Sequence, residues 1–523
     1  MGAKIHISHN IHYLCTQFCT KKMLEHTKHH DASLDHVLKY TWVFGGVQGI
    51  NILIGIIRNK IASRLLGAAG LGIMGLYISI SDLVNNCSNL GIPISSVQKI
   101  SELFENDDET RIRSFIHVVR TWCLWCALIA VVLCSGASLV LKLIGKAPDA
   151  PVVLLAPMVA SMVLTGGEIS ILKGLRRLKR VAVVSLLVAV ATFCLTIPFF
   201  WALGMKGIIL SLDCCAMATL AIHFAFTTPL FPWRVAPTSA EVFRKGIPLL
   251  RIGIPYVLTG IASAGVAVVL QTFLKEHSSE TTLGFYRVGY TMMVTYAGII
   301  FTALDTDYFP RLSSVNHDIE RCNITINRQI RACMLLLTPM LIALIVLMPV
   351  LLRVLYTEEF LPAVKMTVCA AFYMFFRCIS VPVAYTALAR GDSKVYMIME
   401  LIYDVFFLTA LIFCYLQWQL AGIGIGLSLS SLFDVLLVCT CYHHRYGFRF
   451  ESASLWLTFE QMSLLALGVV ACLLLPPIWK YVANAFFFLV SSVCSYVVLR
   501  RESNIVQHFH RKKCQTLNES PQS

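Results

Sequence analysis

Charged residues are scarce in this sequence. They make up 14% of the 523 residues, whereas hydrophobic residues make up 57% and the mean hydropathy is +0.72. Soluble domains carry about 25% charged residues, and a soluble chain of this length would divide into about three domains with polar linkers. Apolar runs instead recur along the whole chain. The scarcity of charge excludes a soluble enzyme and a disordered chain, and it indicates an integral membrane protein with many spans.

Features that would indicate other functions are also missing. The sequence has no G-x-x-x-x-G-K-[ST] phosphate loop, so we do not expect ATP hydrolysis. The segments between apolar runs are too short to form a folded catalytic domain. The first forty residues are polar and precede any apolar run, which does not fit a signal peptide. We therefore expect a membrane protein that is not an enzyme and has no cofactor.

The basic and sulfur-containing residues do not form a specialised site. The net charge of +14 comes from short basic clusters between apolar runs, as in polytopic inner-membrane proteins, and does not indicate nucleic-acid binding. Most of the 19 Cys lie inside apolar runs, where Cys packs as a small hydrophobe. A disulfide or metal role for Cys123 and Cys126 is the alternative. Metal binding is likewise the alternative for the His-rich N-terminal tail, which we interpret as solvated, and we expect no metal site.

The apolar runs predict fourteen spans, because a helix needs about 20 apolar residues to cross a bilayer. Lys and Arg are concentrated in alternate connecting segments, which places both termini in the cytoplasm. The predicted limits are 38–58, 71–98, 114–141, 151–172, 181–203, 207–230, 250–274, 283–309, 331–355, 363–388, 395–416, 421–441, 455–475 and 480–499.

Weak matches between the two halves indicate an internal repeat. Pro93-Ile-Ser-Ser-Val97 resembles Pro310-Arg-Leu-Ser-Ser-Val315, and Lys173-Gly174 resembles Arg390-Gly391, at a similar offset of six spans. Internal repeats are common in transporters. We therefore predict an all-α polytopic membrane protein with two parallel six-helix lobes and an extra pair. The predicted parts are an N-terminal cytoplasmic tail (1–37), an N-lobe (38–230), a C-lobe (231–441), the extra helix pair (442–499) and a C-terminal cytoplasmic tail (500–523).

Ionisable residues near or inside the spans are candidates for function, because a charge in hydrocarbon is costly unless it faces water or a partner. Asp82, Glu168 and Asp213 have the alternative role of satisfying a neighbouring helix. For Asp305 and Asp307 the alternative is pairing with Arg311 at a cytoplasmic helix end, and for Arg287 it is snorkelling to the headgroups. Several of the candidates are arginines, whose planar guanidinium grips phosphate oxygens, so the set favours a cavity for a phosphate or pyrophosphate. The candidates are Arg58, Arg64, Asp82, Arg120, Glu168 and Asp213 in the first lobe, and Arg287, Asp305, Asp307, Arg377, Glu400, Asp404 and Asp434 in the second.

Two Gly-rich stretches, at 67–72 and 422–426, lack a flanking strand and are weak candidates for nucleotide binding. Close helix contact and turns at the outside explain them better. We expect these glycines to allow neighbouring helices to approach one another.

Two segments resemble a known family. They are Asn59-Lys-Ile-Ala-Ser-Arg-Leu-Leu-Gly67 with Asn89-Leu-Gly-Ile92, and Leu283-Gly-Phe-Tyr286 with Thr302-Ala-Leu-Asp-Thr-Asp-Tyr-Phe-Pro-Arg311. With the 6+6+2 span pattern, they resemble the Wzx-type oligosaccharide-lipid flippases of the multidrug/oligosaccharidyl-lipid/polysaccharide (MOP) exporter superfamily. The resemblance covers about residues 38–450. The related peptidoglycan-precursor flippases have a similar first segment, which reads here Gly55, Arg58, Ile61, Arg64 and Gly67.

The resemblance implies the roles of the candidate residues. Arg58 would meet the lipid pyrophosphate. Those relatives have arginines where this chain has Asn85 and Asn86, so either the anion site is arranged differently or Arg287 and Arg377 supply the missing charge. The predicted pyrophosphate-binding residues are Arg58, Arg64, Arg287 and Arg377. The predicted ion-coupling or gating residues are Asp82, Asp305, Asp307, Glu400 and Asp404.

The resemblance also implies a function. The substrate would be an undecaprenyl-pyrophosphate-linked oligosaccharide repeat unit, moved across the cytoplasmic membrane by alternating access for O-antigen, lipopolysaccharide or capsule synthesis. The bilayer and the polyprenyl-linked oligosaccharide would be its partners, and the polysaccharide polymerase and chain-length machinery are further candidate partners. The alternatives are a cation-coupled multidrug exporter of the same superfamily and, with less support, a polyprenyl-linked polysaccharide polymerase or ligase.

Overall fold

The computed structural model describes residues 47, 49–105, 108–143, 151–236 and 239–518. These residues form helices and connecting turns, with no strand among them. Ten helical segments of the described chain are long and apolar enough to cross a membrane. Three of them, Gly49–Ser88, Leu178–Thr227 and Ser393–Tyr446, each cover parts of two predicted spans. The start of the predicted first span, at 38–46 and 48, lies outside the described residues. One further span is interrupted by a π-helical turn. The all-α fold with fourteen spans is therefore confirmed.

The helices follow the predicted order, and we number them by span. Spans 1 and 2 form Gly49–Ser88, and a separate helix, Ile92–Glu105, follows them. Spans 3 to 7 are Glu109–Leu143, Ala156–Gly174, Leu178–Leu203, Gly207–Thr227 and Ala240–His277. Spans 8 to 14 are Glu280–Ser314 with its π turn at Thr291–Tyr296, Ile319–Leu355, Ala363–Ala389, the two parts of Ser393–Tyr446, Ser452–Leu474 and Pro477–Asn518.

Many predicted span limits differ from the structure; span 9, for example, begins at Ile319 rather than at 331. Turns explain three of the differences. The helix of span 1 continues to the turn at Gly67, where φ is +65°, so residues 59–66 are helical rather than a loop. Span 2 ends at Ser88, because Leu90 and Gly91 adopt φ of 52° and 72° and start a turn. The helix of span 12 continues to Tyr446 and ends at Gly447 in a left-handed conformation. Hydropathy detects an apolar run, whereas the backbone angles of single residues decide where its helix ends.

The two lobes are joined by a shared core and by span 7. The largest hydrophobic core contains Leu66 and Leu71 of spans 1 and 2 together with Leu283 of span 8. Span 7 contributes Leu270 to that core and Leu249 to a second core formed with spans 3 and 4. Span 7 therefore packs on the N-lobe with its first half and on the C-lobe with its second half.

The extra pair is attached to span 9. Spans 13 and 14 pack on each other and on span 9. Arg331 of span 9 binds Glu451 at 2.6 Å and donates to Ser454 Oγ at 2.9 Å, at the start of span 13. Ser491 donates to Gln461 Oε1 at 2.7 Å between the two added spans. The domain boundaries given above stay predictions.

Candidate functional site

One buried ion pair lies in the N-lobe. Arg120 of span 3 donates through Nε and Nη2 to the two carboxylate oxygens of Glu168 of span 4, at 2.8 and 2.9 Å. Its Nη1 donates to the carbonyl oxygens of Phe231 and Pro232 at 2.8 and 3.0 Å. Both charged side chains are 1% exposed. This pair is saturated by the protein and ties together spans 3 and 4 and the segment after span 6.

Asp213 of span 6 also has a structural partner. Its Oδ1 accepts the backbone N–H of Met158 at 3.0 Å, near the start of span 4. The first N–H groups of a helix have no intrahelical acceptor, and a carboxylate there is favourable. Asp213 and Glu168 therefore satisfy neighbouring elements, as the alternative interpretation of the sequence held.

A second group of charges lies inside the C-lobe. Arg377 of span 10 faces Asp434 of span 12 with Nη1 and Oδ2 3.8 Å apart. The two side chains are 31% and 12% exposed. The guanidinium also lies 5.9 Å from the ring centre of Tyr373. This ion pair is longer and more open than the pair in the N-lobe, so Arg377 has room for another anionic partner.

Two further carboxylates, both on span 11, lie within electrostatic reach of Arg377. Asp404 is buried and accepts a hydrogen bond from Ser263 of span 7 at 2.9 Å. Glu400 interacts with Tyr396 and with the charge of Arg377. The charge of one guanidinium thus acts on three carboxylates, of which Asp434 is its ion-pair partner. We call Arg377, Glu400, Asp404 and Asp434 the C-lobe charge cluster.

Arg287 and Asp82 lie where the two lobes meet. Arg287 of span 8 packs on Gly75 of span 2, and a Cβ at Gly75 would lie 3.0 Å from its Cδ. Asp82 is exposed and interacts electrostatically with Arg287. The interaction joins span 2 to span 8, so this pair spans the interface between the lobes.

The predicted arginines of span 1 are placed differently. Arg58 is half-buried beside span 6, where its charge reaches Cys215. Arg64 is exposed, one helical turn after Lys60. The structure brings together Arg377, Glu400 and Asp404, and separately Arg287 and Asp82, but it places Arg58 and Arg64 elsewhere. Helix Ala297–Ser314 contains Asp305 and Asp307, whose side chains lie outside the described residues.

The lobes are in close contact at the predicted outer end. The backbone N–H of Ala68 donates to Glu359 Oε1 at 3.1 Å, and Lys60 donates to the carbonyl oxygens of Arg353 and Tyr356 at the end of span 9. A Cβ at Gly72 would lie 2.6 Å from the Glu280 carbonyl oxygen. Glycine is needed here because the backbones of spans 2 and 8 touch.

The prediction that the glycine-rich stretches allow close approach of the backbone is confirmed. Gly67 forms the turn between spans 1 and 2. A Cβ at Gly424 would lie 2.1 Å from the Met366 carbonyl oxygen, which shows how closely span 12 approaches span 10.

Sequence reasoning missed Lys60, Glu359 and Ser263 as contacts between elements. Lys60 was assigned to an outside loop, although the helical spacing of Lys60 and Arg64 could have shown that the helix continues. Glu359 and Ser263 carry no local signal, because their partners lie far away along the chain.

Chemically, the C-lobe charge cluster can exchange partners. A guanidinium held by a 3.8 Å pair, with 31% of its side chain exposed, can turn to a phosphate. The carboxylates that it releases can take up a proton or a cation. The N-lobe pair Arg120–Glu168 lacks this freedom. Arg120 already donates to both carboxylate oxygens of Glu168 and to two backbone carbonyl oxygens.

Comparison with known sequences settles the family. A family model described as "Polysaccharide biosynthesis protein" matches residues 61–365, which is more than half of the chain. The chain belongs to this family of polysaccharide biosynthesis proteins. No curated protein sequence matches it significantly.

Similarity to solved structures of other proteins shows the fold of this chain. The lipid II flippase MurJ in an inward closed conformation has a TM-score of 0.65 and 14% identity, covering 88% of this chain and 99% of MurJ. An inward-facing multidrug resistance MATE family transporter of the MOP superfamily has a TM-score of 0.62 and 14% identity, covering 76% and 94%. A mutant of the Vibrio cholerae MATE transporter VcmN has a TM-score of 0.52 and 14% identity, covering 81% and 97%. The chain therefore has the helical fold that these structures share, as predicted.

Proposed function

We propose that this protein is a flippase that moves undecaprenyl-pyrophosphate-linked oligosaccharide repeat units across the cytoplasmic membrane by alternating access. The observation that carries the proposal is the half-open guanidinium of Arg377, held by a 3.8 Å pair inside the C-lobe of a polysaccharide biosynthesis protein. A phosphate dianion suits such a group, because arginine stays charged and binds two oxygens at once.

The contacts between the lobes support alternating access. The lobes meet at the predicted outer end through Lys60, Glu359 and Gly72, which is the arrangement of a carrier closed to the outside. At the predicted cytoplasmic end, span 7 packs on the N-lobe, and Ser95 donates to the Leu249 carbonyl oxygen at 2.7 Å. The similar structures of MurJ and of one MATE transporter are inward states.

In this mechanism Arg377 would leave Asp434 and bind the pyrophosphate that enters between the lobes. The carboxylates of Glu400, Asp404 and Asp434 would then be free to bind a proton or cation, which couples transport to an ion gradient. Asp404 would pass that change to span 7 through Ser263. Because span 7 contacts both lobes, its displacement would change their contact.

The same proposal implies a location, a topology and a product for the protein. The protein would lie in the bacterial cytoplasmic membrane with both termini in the cytoplasm, and it would carry out no covalent chemistry. Its product would be a lipid-linked repeat unit on the outer face, ready for the polysaccharide polymerase and chain-length machinery.

The test is the accumulation of lipid-linked oligosaccharide in a deletion strain. We expect the intermediate to accumulate on the cytoplasmic face, and the wild-type gene to relieve it. Arg377→Ala is expected to lower relief at least about tenfold, because a lost charge-assisted pair with phosphate is worth about 1.5–3 kcal/mol. The control Arg328→Ala removes an exposed arginine of span 9 and is expected to behave like wild type.

A deletion strain without accumulated intermediate contradicts the flippase proposal. Equal relief by Arg377→Ala and wild type contradicts the assignment of Arg377.

A cation-coupled multidrug exporter is the second candidate, and the excess of carboxylates in the C-lobe charge cluster favours it. Such an exporter would show raised drug sensitivity on deletion, with no change in lipid-linked oligosaccharide. It would also lose transport on Asp434→Asn more than on Arg377→Ala.

A further inference from the structure

A polar pocket of about 630 Å³ lies at the predicted cytoplasmic end of the C-lobe, apart from the C-lobe charge cluster. Three turns meet there: the turn between spans 8 and 9, the turn between spans 10 and 11, and the end of span 12. Its volume falls in the range of small-ligand sites, about 300–1,000 Å³. We call it the 390/445 pocket; it is lined by Asn316, His317, Ile319, Arg390, Asp392, Arg445 and Tyr446.

Two guanidinium groups converge on one aromatic ring in this pocket. The guanidinium carbons of Arg390 and Arg445 lie 4.9 and 5.7 Å from the ring centre of Tyr446. Both positive charges therefore lie close to the same ring, and an anion beside them would offset their mutual repulsion. The ring contacts hold the two guanidinium groups at the pocket wall, since Arg390, Arg445 and Tyr446 all line the pocket.

The protein neutralises only part of this charge. Asp392 is the one carboxylate that lines the described pocket, and it lies 3.7 Å from Arg445 Nη2. Asp392 also accepts a hydrogen bond from the Tyr446 hydroxyl at 2.7 Å. The nearby carboxylate of Asp318 is engaged by Arg321 at 3.2 Å. Two arginines therefore share one carboxylate, and one positive charge is left over.

Arg390 also has an unsatisfied donor. Its Nε is buried and has no hydrogen-bond partner in the described structure. Buried donors without a partner are uncommon in native proteins and call for an explanation. Arg390 and Arg445 both line the pocket, so the outer nitrogens of their guanidinium groups are the donors available to an oxyanion there, whereas the Nε of Arg390 is enclosed by protein.

The pocket is an open concavity whose turns are tied together by the protein. Asn316 donates to the Ala389 carbonyl oxygen at 2.7 Å and so ties the 8–9 turn to the 10–11 turn. Gly391 and Gly447, with φ of 77° and 70°, shape two of its walls. The corresponding segment of the N-lobe, residues 176–180, has four basic residues but no carboxylate or aromatic ring among its lining residues.

We propose that the 390/445 pocket binds a phosphate group, which Arg390 and Arg445 grip from two sides above the ring of Tyr446. The phosphate belongs either to a lipid headgroup or to a soluble ion, since both present the same oxygens. This site is separate from the transport cavity and does not depend on the proposed flippase function.

The test uses the full-length protein and two probes. Radiolabelled inorganic phosphate is measured by equilibrium dialysis in detergent. Lipid retention is measured by native mass spectrometry after release from nanodiscs of phosphatidylcholine, with or without phosphatidylglycerol. Saturable binding of phosphate assigns a soluble ligand, and selective retention of phosphatidylglycerol assigns a headgroup. Either result supports the site.

Variants locate the binding within the protein. The double variant Arg390→Gln with Arg445→Gln is expected to weaken binding at least about tenfold, since both charge-assisted contacts are lost. The charge-preserving pair Arg390→Lys with Arg445→Lys keeps the charge without the planar grip, and we expect an intermediate loss. Arg449→Gln removes an exposed arginine at the same end and should change affinity by less than about twofold.

The proposal is wrong if neither probe binds above the phosphatidylcholine background. It is also wrong if Arg449→Gln weakens binding as much as the double variant, because the interaction would then be non-specific. Thermal melting of each protein shows whether it is folded. If the glutamine variants do not fold, the lysine variants still test the site. A full loss of transport in the Arg377→Ala strain leaves this result unaffected.

Discussion

The two arginine–carboxylate systems inside the helical bundle differ in how fully the protein satisfies them. In the N-lobe, Arg120 and Glu168 form two short hydrogen bonds and are 1% exposed. In the C-lobe, Arg377 and Asp434 lie 3.8 Å apart and are 31% and 12% exposed. The same side-chain chemistry therefore serves two purposes. A saturated pair holds helices together, whereas an open pair can change partners.

The comparison shows that a charge inside a span does not by itself indicate a transport residue. Glu168 and Asp213 have the residue type and location of coupling groups, yet their oxygens are taken by protein donors. Asp82 and Arg377 keep exposed area. The exposure of the arginine therefore distinguishes the two pairs, although it does not sort the single carboxylates, since Asp213 is half-buried and Asp404 is buried.

The largest effect is expected from breaking the saturated pair. Glu168→Gln leaves Arg120 as an uncompensated buried charge, which costs about 3–5 kcal/mol of folding free energy. Thermal melting of the purified protein should show a large fall in Tm. Replacing both partners, Arg120→Met with Glu168→Leu, should restore part of the loss.

The control for that prediction is Glu102→Gln, since Glu102 forms an exposed pair with Lys99. Exposed pairs contribute about 0–1 kcal/mol, so its Tm should stay near wild type. A Glu168→Gln protein as stable as Glu102→Gln would show that the N-lobe pair is not structural.

A smaller effect is expected where the lobes touch at the predicted outer end. In Gly72→Ala the new Cβ would lie 2.6 Å from the Glu280 carbonyl oxygen and the Gly284 nitrogen, so spans 2 and 8 must separate. Overpacking of this kind costs about 1–3 kcal/mol. Hydrogen exchange should become faster in residues 278–290, and transport should fall severalfold.

Gly136→Ala is the matched control, because nothing lies within 4 Å of its Cβ position. Exchange and transport should both stay at wild-type values in that protein. Unchanged exchange in Gly72→Ala would contradict the close contact as a determinant of the closed outer end.

The smallest effect on stability is expected at the Arg377–Asp434 pair. This prediction is the most direct test of the difference between the two ion pairs. Arg377→Gln removes a long, partly exposed pair, so the free energy of unfolding should change by about 1 kcal/mol or less. Its transport should nevertheless be strongly reduced. A fall in Tm as large as that of Glu168→Gln would place Arg377 with the structural pairs instead.

Much of the fold could be predicted from the sequence, but the site could be predicted only in part. The apolar runs placed the spans because bilayer thickness sets the length of a helix. The glycines at 67–72 indicated close approach, which the structure confirms. The position of Arg58 beside Cys215 was not predictable, because it depends on how span 1 rotates against span 6.

The sequence by itself determined the number and order of spans, the extra pair and the resemblance to an oligosaccharide-lipid flippase family. These properties depend on local hydropathy and on short motifs, which can be recognised from the amino-acid sequence alone. Only the tertiary structure decided which charges meet. Arg120 lies 48 residues from Glu168, and Ser263 lies 141 residues from Asp404. Such partners are chosen by the rotation and packing of whole helices, which no local pattern of residues encodes.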